Sequence, residues 1–198
     1  MNEPTLTIRR GEAIAPHLEA LAELRIRVFR DYPYLYDGDP AYEAAYLGRY
    51  AENPASLFVL AFDGDDLVGA ATGQPLVDEV DDFRTPFEGA GIDPRTVFYY
   101  GESVLLPEYR GQGIGKAFMA EREAHARAGG FEITAFCAVE RSDDHPRRPA
   151  GYVPLHGFWR SRGYERHPEL ATSFRWKDLD DAEETDKPMV FWLKALRP

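Results

Sequence analysis

The feature that most constrains this fold is a glycine-rich turn that follows an apolar stretch and precedes an amphipathic segment. Residues 97–106 are rich in β-branched and aromatic types, which is typical of a strand, and Pro107 ends it because proline cannot donate to a sheet ladder. Glycine then occupies every second position, at Gly111, Gly113 and Gly115, directly before a predicted helix. Such a turn can leave backbone N–H groups open at a helix N-terminus, where they attract an anion.

Two interpretations of the turn remain open from these residues alone. The glycines serve either an anion site or a tight turn that needs their backbone dihedrals. An anion would meet the N–H groups of residues 112–116, and the Lys116 charge would add to the attraction. The spacing does exclude two nucleotide motifs, because neither the dinucleotide G-x-G-x-x-G pattern nor the P-loop G-x-x-x-x-G-K-S/T pattern is present.

The rest of the chain alternates short strands with helices. Strands are predicted over 5–9, 56–62, 67–72, 97–106, 131–139, 172–176 and 189–193, and helices over 16–30, 41–52, 114–128 and 155–162. Residues 63–66 predict a hairpin turn, and residues 76–96 lack a period and are expected to form a loop or insertion. The strand–helix–strand order around the glycine turn predicts a parallel pair. The buried face of that helix is predicted from Ile114, Ala117, Phe118, Glu121, Ala124 and Ala128.

Composition bounds the class of protein. The chain has 198 residues, 44% of them hydrophobic and 29% charged, which favours one globular domain spanning residues 1–198. A net charge of −11 argues against nucleic acid and anionic membrane surfaces as partners, and it suits a cationic or amine-bearing substrate. No apolar run approaches the ~20 residues of a membrane span, and residues 1–4 lack signal-peptide character, so a cytoplasmic location is expected.

Cysteine and histidine usage narrows the chemistry. The one cysteine, Cys137, excludes an internal disulfide and is expected to act as a small buried hydrophobe. The five histidines show no metal-ligand spacing, so no metal is expected.

The glycine turn resembles the R-x-x-G-x-G signature of the GNAT N-acetyltransferases, with Arg110 at its start and Gly115 at its end. The approach to it is also similar, although Leu105 stands where the family usually has valine. The predicted order β-α-α-β-β-β-α-β-α-β-β resembles the GNAT fold over most of the chain. This implies a mixed α/β (α+β) fold with a central, mostly antiparallel sheet, a splayed parallel strand pair and flanking helices.

The resemblance implies acetyl-CoA as cofactor. The backbone of Leu105 would meet pantetheine and the acyl carbonyl. The residues expected to contact the cofactor are Val104, Leu105, Leu106, Arg110, Gly111, Gln112, Gly113, Ile114, Gly115, Lys116 and Trp159.

The catalytic groups are less fully defined by the resemblance. Glu102 lies where many family members carry a general base, but a structural ion pair with Arg25 of the first predicted helix is an equal alternative. The family's usual acid is a tyrosine at the position that Trp159 holds here, and an indole cannot supply a proton at neutral pH. Tyr152, at the place of a family asparagine, is the first substitute, followed by His145 and His156. A coenzyme A thiolate can also leave without a protein acid.

The acceptor side is indicated by three tyrosines, Tyr32, Tyr34 and Tyr36, between the first two helices. With Arg25 and Phe29 they are expected to wall an amine site through cation–π contacts, unless they form only an aromatic cluster under the loop. The implied activity is acetyl transfer to a primary amine, small-molecule or peptide, by direct attack in a ternary complex. A non-catalytic acyl-CoA-binding regulatory module is the alternative, a binding protein for another phosphorylated ligand is more distant, and a homodimer is left open.

Overall fold

The computed structural model describes residues 4–196, so residues 1–3, on which the signal-peptide expectation partly rests, lie outside it. The strands are β1 (Thr5–Arg10), β2 (Leu57–Asp63), β3 (Asp66–Pro75), β4 (Val97–Tyr99), β5 (Ser103–Leu105), β6 (Ile133–Val139), β7 (Glu165–Trp176) and β8 (Thr185–Ala195). The α-helices are α1 (Leu18–Phe29), α2 (Pro40–Glu52), α3 (Asp81–Gly89), α4 (Ile114–Ala128) and α5 (His156–Ser161). Within the described range, no helix combines the length and apolarity needed to cross a membrane.

All eight strands join one sheet. Its order is β1-β2-β3-β4-β6-β8-β7, with β5 pairing β3 off this path. Among the strands of residues 4–196, only β4 and β6 pair in parallel, through the crossover helix α4, and the other pairings are antiparallel. The mixed, mostly antiparallel sheet with one parallel pair confirms the predicted fold class.

Side-chain alternation along the strands builds a core on each face of the sheet. Phe98 of β4 packs with the helices α1, α2 and α4, whereas its neighbours Val97 and Tyr99 face α3. Phe191 and Trp192 of β8 divide in the same way between the two cores. The sheet therefore has helices on both faces.

The predicted strand 97–106 is two strands in the structure. β4 ends at Tyr99 and β5 begins at Ser103, because the chain keeps β3 as its neighbour at this point but loses β6. β4 pairs with both β3 and β6, whereas β5 pairs with β3. Beyond the end of β4, β6 continues to pair with β8. Apolar residues continue through the break, so the sequence pattern does not mark it.

The predicted loop 76–96 contains helix α3, which the sequence analysis missed. Phe83 and Phe87, one turn apart, bury the inner face of this helix in the second core. Pro86 lies inside the helix and cannot donate to the carbonyl of Asp82. The hydroxyl of Thr172 on β7 donates to that carbonyl instead, at 2.8 Å. A tertiary contact thus completes a helix that its own sequence interrupts.

The buried face of α4 also differs from the prediction. Ala124 and Ala128 are exposed, and Arg122 is almost fully buried at 1% exposure. The true stripe contains Ile114, Phe118, Met119, Arg122 and Ala126. An arginine takes a core position here because polar groups of two strands meet its guanidinium there.

Candidate active site

The glycine turn has the geometry of an anion cradle. Gly111 and Gly113 adopt φ values of +78° and +92°, and a Cβ atom at either position would have no atom within 4 Å. Glycine is therefore required by the backbone conformation, not by crowding within the protein. Helix α4 begins at Ile114, so the N–H groups of Ile114 and Gly115 have no acceptor within the helix. The N–H of Lys116 is different, because it donates to the carbonyl of Gly113 at 2.9 Å.

The splay between β5 and β6 lies beside this turn. The carbonyl of Glu102 accepts from Thr72, and the N–H of Leu106 donates to Val68, so these residues bond toward β3. By alternation, the backbone groups of Ser103 and Leu105 face the opposite edge, where β6 has diverged. The Leu105 carbonyl accepts a 3.2 Å bond from Arg110.

Two residues predicted to contact the cofactor have buried side chains. The side chain of Val104 is completely buried in the core, and that of Leu106 is 7% exposed. Leu105, Arg110 and Gln112 lie nearer the surface, and the Gln112 side chain donates to the Glu108 carbonyl at 3.0 Å.

A cavity of about 420 Å³ opens between the helices and the splayed strands. The predicted site residues that line it are Arg25, Phe29, Tyr34, Tyr36, Glu102, Tyr152 and Trp159. The glycine turn is not part of its wall. The cavity therefore contains the residues predicted for the acceptor together with Trp159, which was predicted to contact the cofactor.

Glu102 lies in this cavity wall within a buried cluster of charge. Arg25 of α1 contacts an oxygen of Glu102 at 2.5 Å and also an oxygen of Glu43 on α2. The predicted ion pair between Arg25 and Glu102 is thus present, with a second glutamate added to it. Burial alone would lower the pKa of Arg25, but the attraction of Glu102, Tyr46 and Glu43 raises it overall.

The cluster holds one positive and two negative side chains, so it keeps an excess negative charge. One oxygen of Glu102, Oε1, and one of Glu43 are buried without a hydrogen-bond partner among the described residues. Oε2 of Glu102 accepts from the Tyr46 hydroxyl at 2.9 Å and also holds Arg25. Oε1 is therefore the oxygen of Glu102 that remains available for an incoming proton.

Arg122 fixes the backbone on which Glu102 is carried. Its Nη1 donates to the carbonyls of Thr72 and Glu102, at 3.2 and 3.1 Å, and its Nη2 donates to Ser103 Oγ at 2.7 Å. The guanidinium also lies 4.1 Å from the ring centre of Tyr100. These contacts span both sides of the β4–β5 break, so Arg122 is a structural clamp on the splay.

Aromatic side chains form the acceptor-facing walls. Phe29 packs on Tyr34 with ring centres 4.6 Å apart, and Tyr34 in turn faces Trp176 at 6.0 Å. Tyr36 is near Tyr42, and burial raises its pKa to about 12, so it stays a neutral phenol. Tyr32 is not in the wall but packs edge-on against Tyr152 at 4.7 Å.

The loop that carries these tyrosines is held by the C-terminal strands. Asp37 donates its N–H to the carbonyl of Lys177, and Trp176 Nε1 donates to the carbonyl of Tyr34 at 3.0 Å. Arg141 bonds the carbonyl of Tyr34 at 2.8 Å and pairs with Asp178 at 2.8 Å. The acceptor wall is therefore assembled from two parts of the chain about 140 residues apart.

The candidate proton donors differ in position and charge. Tyr152 lines the cavity, and burial raises its pKa, so the phenol is protonated at neutral pH. Burial lowers the pKa of His156, and its ring packs on Trp159 and Trp192 outside the cavity wall. His145 packs against Tyr32. Tyr152 is the best placed of these candidates.

Sequence reasoning missed several residues of the wall. Glu43, Tyr42 and Tyr46 were recognised only as part of helix α2, although three tyrosines on one helical face were a signal. Trp176 gave no signal, because only the pairing of β7 brings it to the site. Cys137 also lines the cavity, and burial raises the pKa of its thiol to about 12, so it is not a nucleophile.

The residues of the turn fit coenzyme A. The open space above the glycines and the two free N–H groups at the start of α4 suit a pyrophosphate. The edge of β5 that no strand pairs suits an amide-bearing arm. Among the described residues, no heavy atom lies within 4 Å of the position that a Cβ would take at Gly111 or Gly113.

Comparison with solved structures finds proteins with a fold similar to the one described above. The ribosomal-protein-alanine N-acetyltransferase of Brucella melitensis is 19% identical with a TM-score of 0.62, covering 96% of this chain and 99% of that one. The structure of yncA from Salmonella typhimurium with its cofactor acetyl-CoA is 14% identical, with a TM-score of 0.56 and coverage of 97% and 94%. The PaiA N-acetyltransferase of Thermoplasma acidophilum in complex with coenzyme A is 15% identical, with a TM-score of 0.55 and coverage of 96% and 99%.

At these identities the similarity shows the fold. A comparison with curated proteins finds no match. The sequence model of the Acetyltransferase (GNAT) family, in contrast, matches residues 18–164, which include the glycine turn, Glu102 and Trp159. The chain belongs to the GNAT acetyltransferase family.

Proposed function

We propose that the protein is an acetyl-CoA-dependent N-acetyltransferase that transfers the acetyl group to a primary amine by direct attack in a ternary complex. The observation that carries this proposal is the unpaired edge of β5. Its backbone groups at Ser103 and Leu105 lie between the glycine turn and the buried carboxylate of Glu102. A ligand that spans turn and splay would end beside this carboxylate.

Coenzyme A would be held by the open N–H groups of the turn and by the backbone of Leu105. When bound, it supplies an acetyl thioester as the group to be transferred. Gly111 and Gly113 leave room for the pyrophosphate, and Arg110 and Lys116 add positive charge at the same place. The PaiA N-acetyltransferase with coenzyme A and yncA with acetyl-CoA support this assignment.

The acceptor would enter the 420 Å³ cavity as a cation. The excess negative charge of the cluster around Arg25 and the faces of Phe29, Tyr34 and Trp176 attract an ammonium group. Oε1 of Glu102 then removes a proton, which leaves the amine lone pair free for attack. Arg25 and Tyr46 hold the other oxygen, so Oε1 is the oxygen of Glu102 left without a hydrogen bond.

Tyr152 is proposed as the proton donor for the departing thiolate. It lies in the same wall as Glu102, and its raised pKa keeps the phenol protonated at neutral pH. A Tyr152→Phe variant should lose part of kcat while keeping its affinity for coenzyme A. An unchanged kcat would show that the thiolate leaves without a protein acid.

The cofactor assignment is tested by thermal melting in the presence of acetyl-CoA, ATP or NAD. A ligand that binds only the folded state stabilises it by about 2.7 kcal/mol at a hundredfold excess over its Kd. Acetyl-CoA alone should shift the melting curve. A shift by ATP or NAD and none by acetyl-CoA would refute the assignment.

Catalysis is tested by thiol release over a panel of small and peptide amines. Glu102→Gln should lower kcat roughly a hundredfold or more while coenzyme A affinity stays unchanged. Glu19→Gln, an exposed position on α1, is the control and should behave as wild type. Full activity of Glu102→Gln would refute its role as base.

The non-catalytic alternative has its own outcome in these experiments. If acetyl-CoA stabilises the protein but no amine raises thiol release above background, the chain is an acyl-CoA-binding regulatory module.

A further inference from the structure

A second cavity, of about 380 Å³, lies further along α2 than the first. Its wall includes Glu79, whose side chain is mostly buried, and Tyr50, one helical turn beyond Tyr46. The other lining residues are Arg49, Glu52, Asn53, Pro54, Gln74, Asp78 and Val80. Nothing in the acetyl-transfer site described above uses Glu79 or this cavity.

A row of hydroxyl groups connects the two cavities. The Tyr46 hydroxyl donates to Oε2 of Glu102 at 2.9 Å, and the Tyr50 hydroxyl donates to Oε1 of Glu79. Both hydroxyls lie near Gly101, where a Cβ atom would be 3.0 Å from the Tyr46 oxygen and 2.5 Å from the Tyr50 oxygen, and each donates to its own glutamate, not to the other hydroxyl. The tyrosine rings are 5.2 Å apart. Glycine at 101 thus leaves the space in which the hydroxyls approach each other.

We propose that Glu102, Tyr46, Tyr50 and Glu79 form a proton relay that carries the acceptor's proton from the first cavity to solvent in the second. The inference rests on the proposed function, because Glu102 must first act as the base. Tyr50 and Glu79 act through Tyr46 and Glu102 and do not touch the acceptor.

The relay conserves every proton. The acceptor amine gives one proton to Glu102, and its nitrogen lone pair becomes free. The neutral carboxyl group of Glu102 attracts the Tyr46 hydroxyl less than the carboxylate does, so this hydroxyl turns to donate to Tyr50, and a turn of the carboxyl group brings its O–H to the Tyr46 oxygen. The Glu102 proton then passes to the Tyr46 oxygen, the Tyr46 proton to Tyr50, and the Tyr50 proton to Glu79. Glu79 finally releases one proton to water in the second cavity, and all four groups return to their starting state.

Burial explains why such an exit is needed. Only 7% of Glu102 is exposed, and the exposure it has faces the first cavity, which the acceptor would fill. The protonated base would then have no route to solvent on that side. Burial raises the pKa values of Tyr46 and Tyr50 well above their usual range, so both pass protons as neutral phenols.

Glu79, the last group of the relay, takes up a proton more readily than an ordinary glutamate because its pKa is raised. Burial raises the pKa of Glu79, and the negative charge of Glu102 raises it further, while hydrogen bonds from Tyr50 and Gln74 and the charge of Arg49 lower it. The charged or titratable groups that face the relay from the surrounding elements include Arg25, Glu43, Arg49, Glu52, Asp78, Tyr99, Arg122 and Cys137.

The first experiment removes relay groups and keeps the base. Tyr50→Phe and Glu79→Ala should each lower kcat about tenfold or more, with the KM for both substrates unchanged within about twofold. Tyr164→Phe is the matched control, since it removes another buried hydroxyl, bonded to Thr134 at 2.9 Å, from outside the relay. It should keep the wild-type kcat.

Small carboxylates separate a relay from a structural role. Formate should restore kcat in Glu79→Ala, because the deleted side chain leaves room beside the second cavity for a replacement carboxylate. Formate should have no effect on Tyr50→Phe, where the relay is interrupted before it reaches Glu79. It should also have no effect on Glu79→Gln, where the glutamine side chain fills the space. A loss of kcat in Glu79→Ala without any response to formate would overturn the relay.

The relay and the proposed function fail differently. Wild-type kcat in Tyr50→Phe and Glu79→Ala, with an inactive Glu102→Gln, overturns the relay and leaves the acetyltransferase intact. Full activity of Glu102→Gln overturns the base and, with it, the relay. Absence of turnover with every amine overturns the proposed function and the relay together, and the free protein then tests only the coupling between Glu79, Tyr50 and Glu102.

The free protein offers a readout without turnover. Carboxyl ¹³C NMR should place the titration of Glu79 above that of an ordinary glutamate. Glu102→Gln should move that titration to lower pH, because a neighbouring negative charge is lost. Tyr50→Phe should move it to higher pH, because a hydrogen bond to the carboxylate is lost. A Glu79 titration that responds to neither variant would overturn the coupling on which the relay depends.

Discussion

Gly113→Ala separates two roles of glycine in the turn before α4: it permits the left-handed backbone conformation, and it leaves room for the cofactor. At φ +92° an alanine carries the strain of the left-handed region, about 1–2 kcal/mol. No atom lies within 4 Å of the added methyl group, so no clash within the protein adds to this. The free energy of unfolding should fall by that amount alone, which lowers Tm by roughly 2–8 °C for a chain of this length.

The loss of cofactor affinity should be larger than this strain explains. The methyl group projects into the open space of the cradle and displaces a phosphate from at least one backbone N–H. One charge-assisted hydrogen bond contributes about 1.5–3 kcal/mol, so the Kd for coenzyme A should rise roughly tenfold to a hundredfold. Isothermal titration calorimetry with coenzyme A measures the Kd, and circular dichroism melting measures the stability.

Gly130→Ala is the matched control at the other end of α4. Gly130 has φ +78°, and a Cβ there also has no atom within 4 Å, so its alanine variant should lose similar stability. Its Kd for coenzyme A should stay within about twofold of wild type. The reasoning is refuted if Gly113→Ala keeps the wild-type Kd, or if Gly130→Ala weakens binding equally.

Three further predictions concern side chains whose contacts come from distant parts of the chain. Arg122→Met should lower the free energy of unfolding by about 2–4 kcal/mol in urea denaturation, since buried carbonyls lose their donors; an unchanged midpoint would contradict the clamp. Thr172→Val should cost about 0.5–1.5 kcal/mol through loss of the bond to Asp82, and Thr172→Ser should not. Cys137, with a thiol pKa of about 12, should react with iodoacetamide at pH 8 roughly a thousandfold more slowly than a free thiol until the protein is unfolded, as mass spectrometry would show.

Local chemistry allowed the sequence to predict four of the five described α-helices and most of the strands. The turn before α4 was recognisable because proline ends the strand and glycine permits the left-handed backbone that the turn needs. Helix α3 was not, because Pro86 breaks the local pattern and Thr172, from a distant strand, satisfies the carbonyl that it leaves free. The β4–β5 break was invisible for a related reason, since a change of strand partner leaves no trace in an apolar sequence.

The sequence by itself determined the cofactor end of this protein. Gly111, Gly113 and the start of α4 are adjacent in the chain, so their spacing already defines the cradle. The tertiary structure decided the acceptor end, where Trp176 meets Tyr34 across 142 positions of sequence. Contacts of this kind depend on strand pairing and packing, and no short-range pattern encodes them. It also brought Arg25 of α1 to Glu102, whose carboxylate pairs with this arginine and has one oxygen without a hydrogen bond among the described residues.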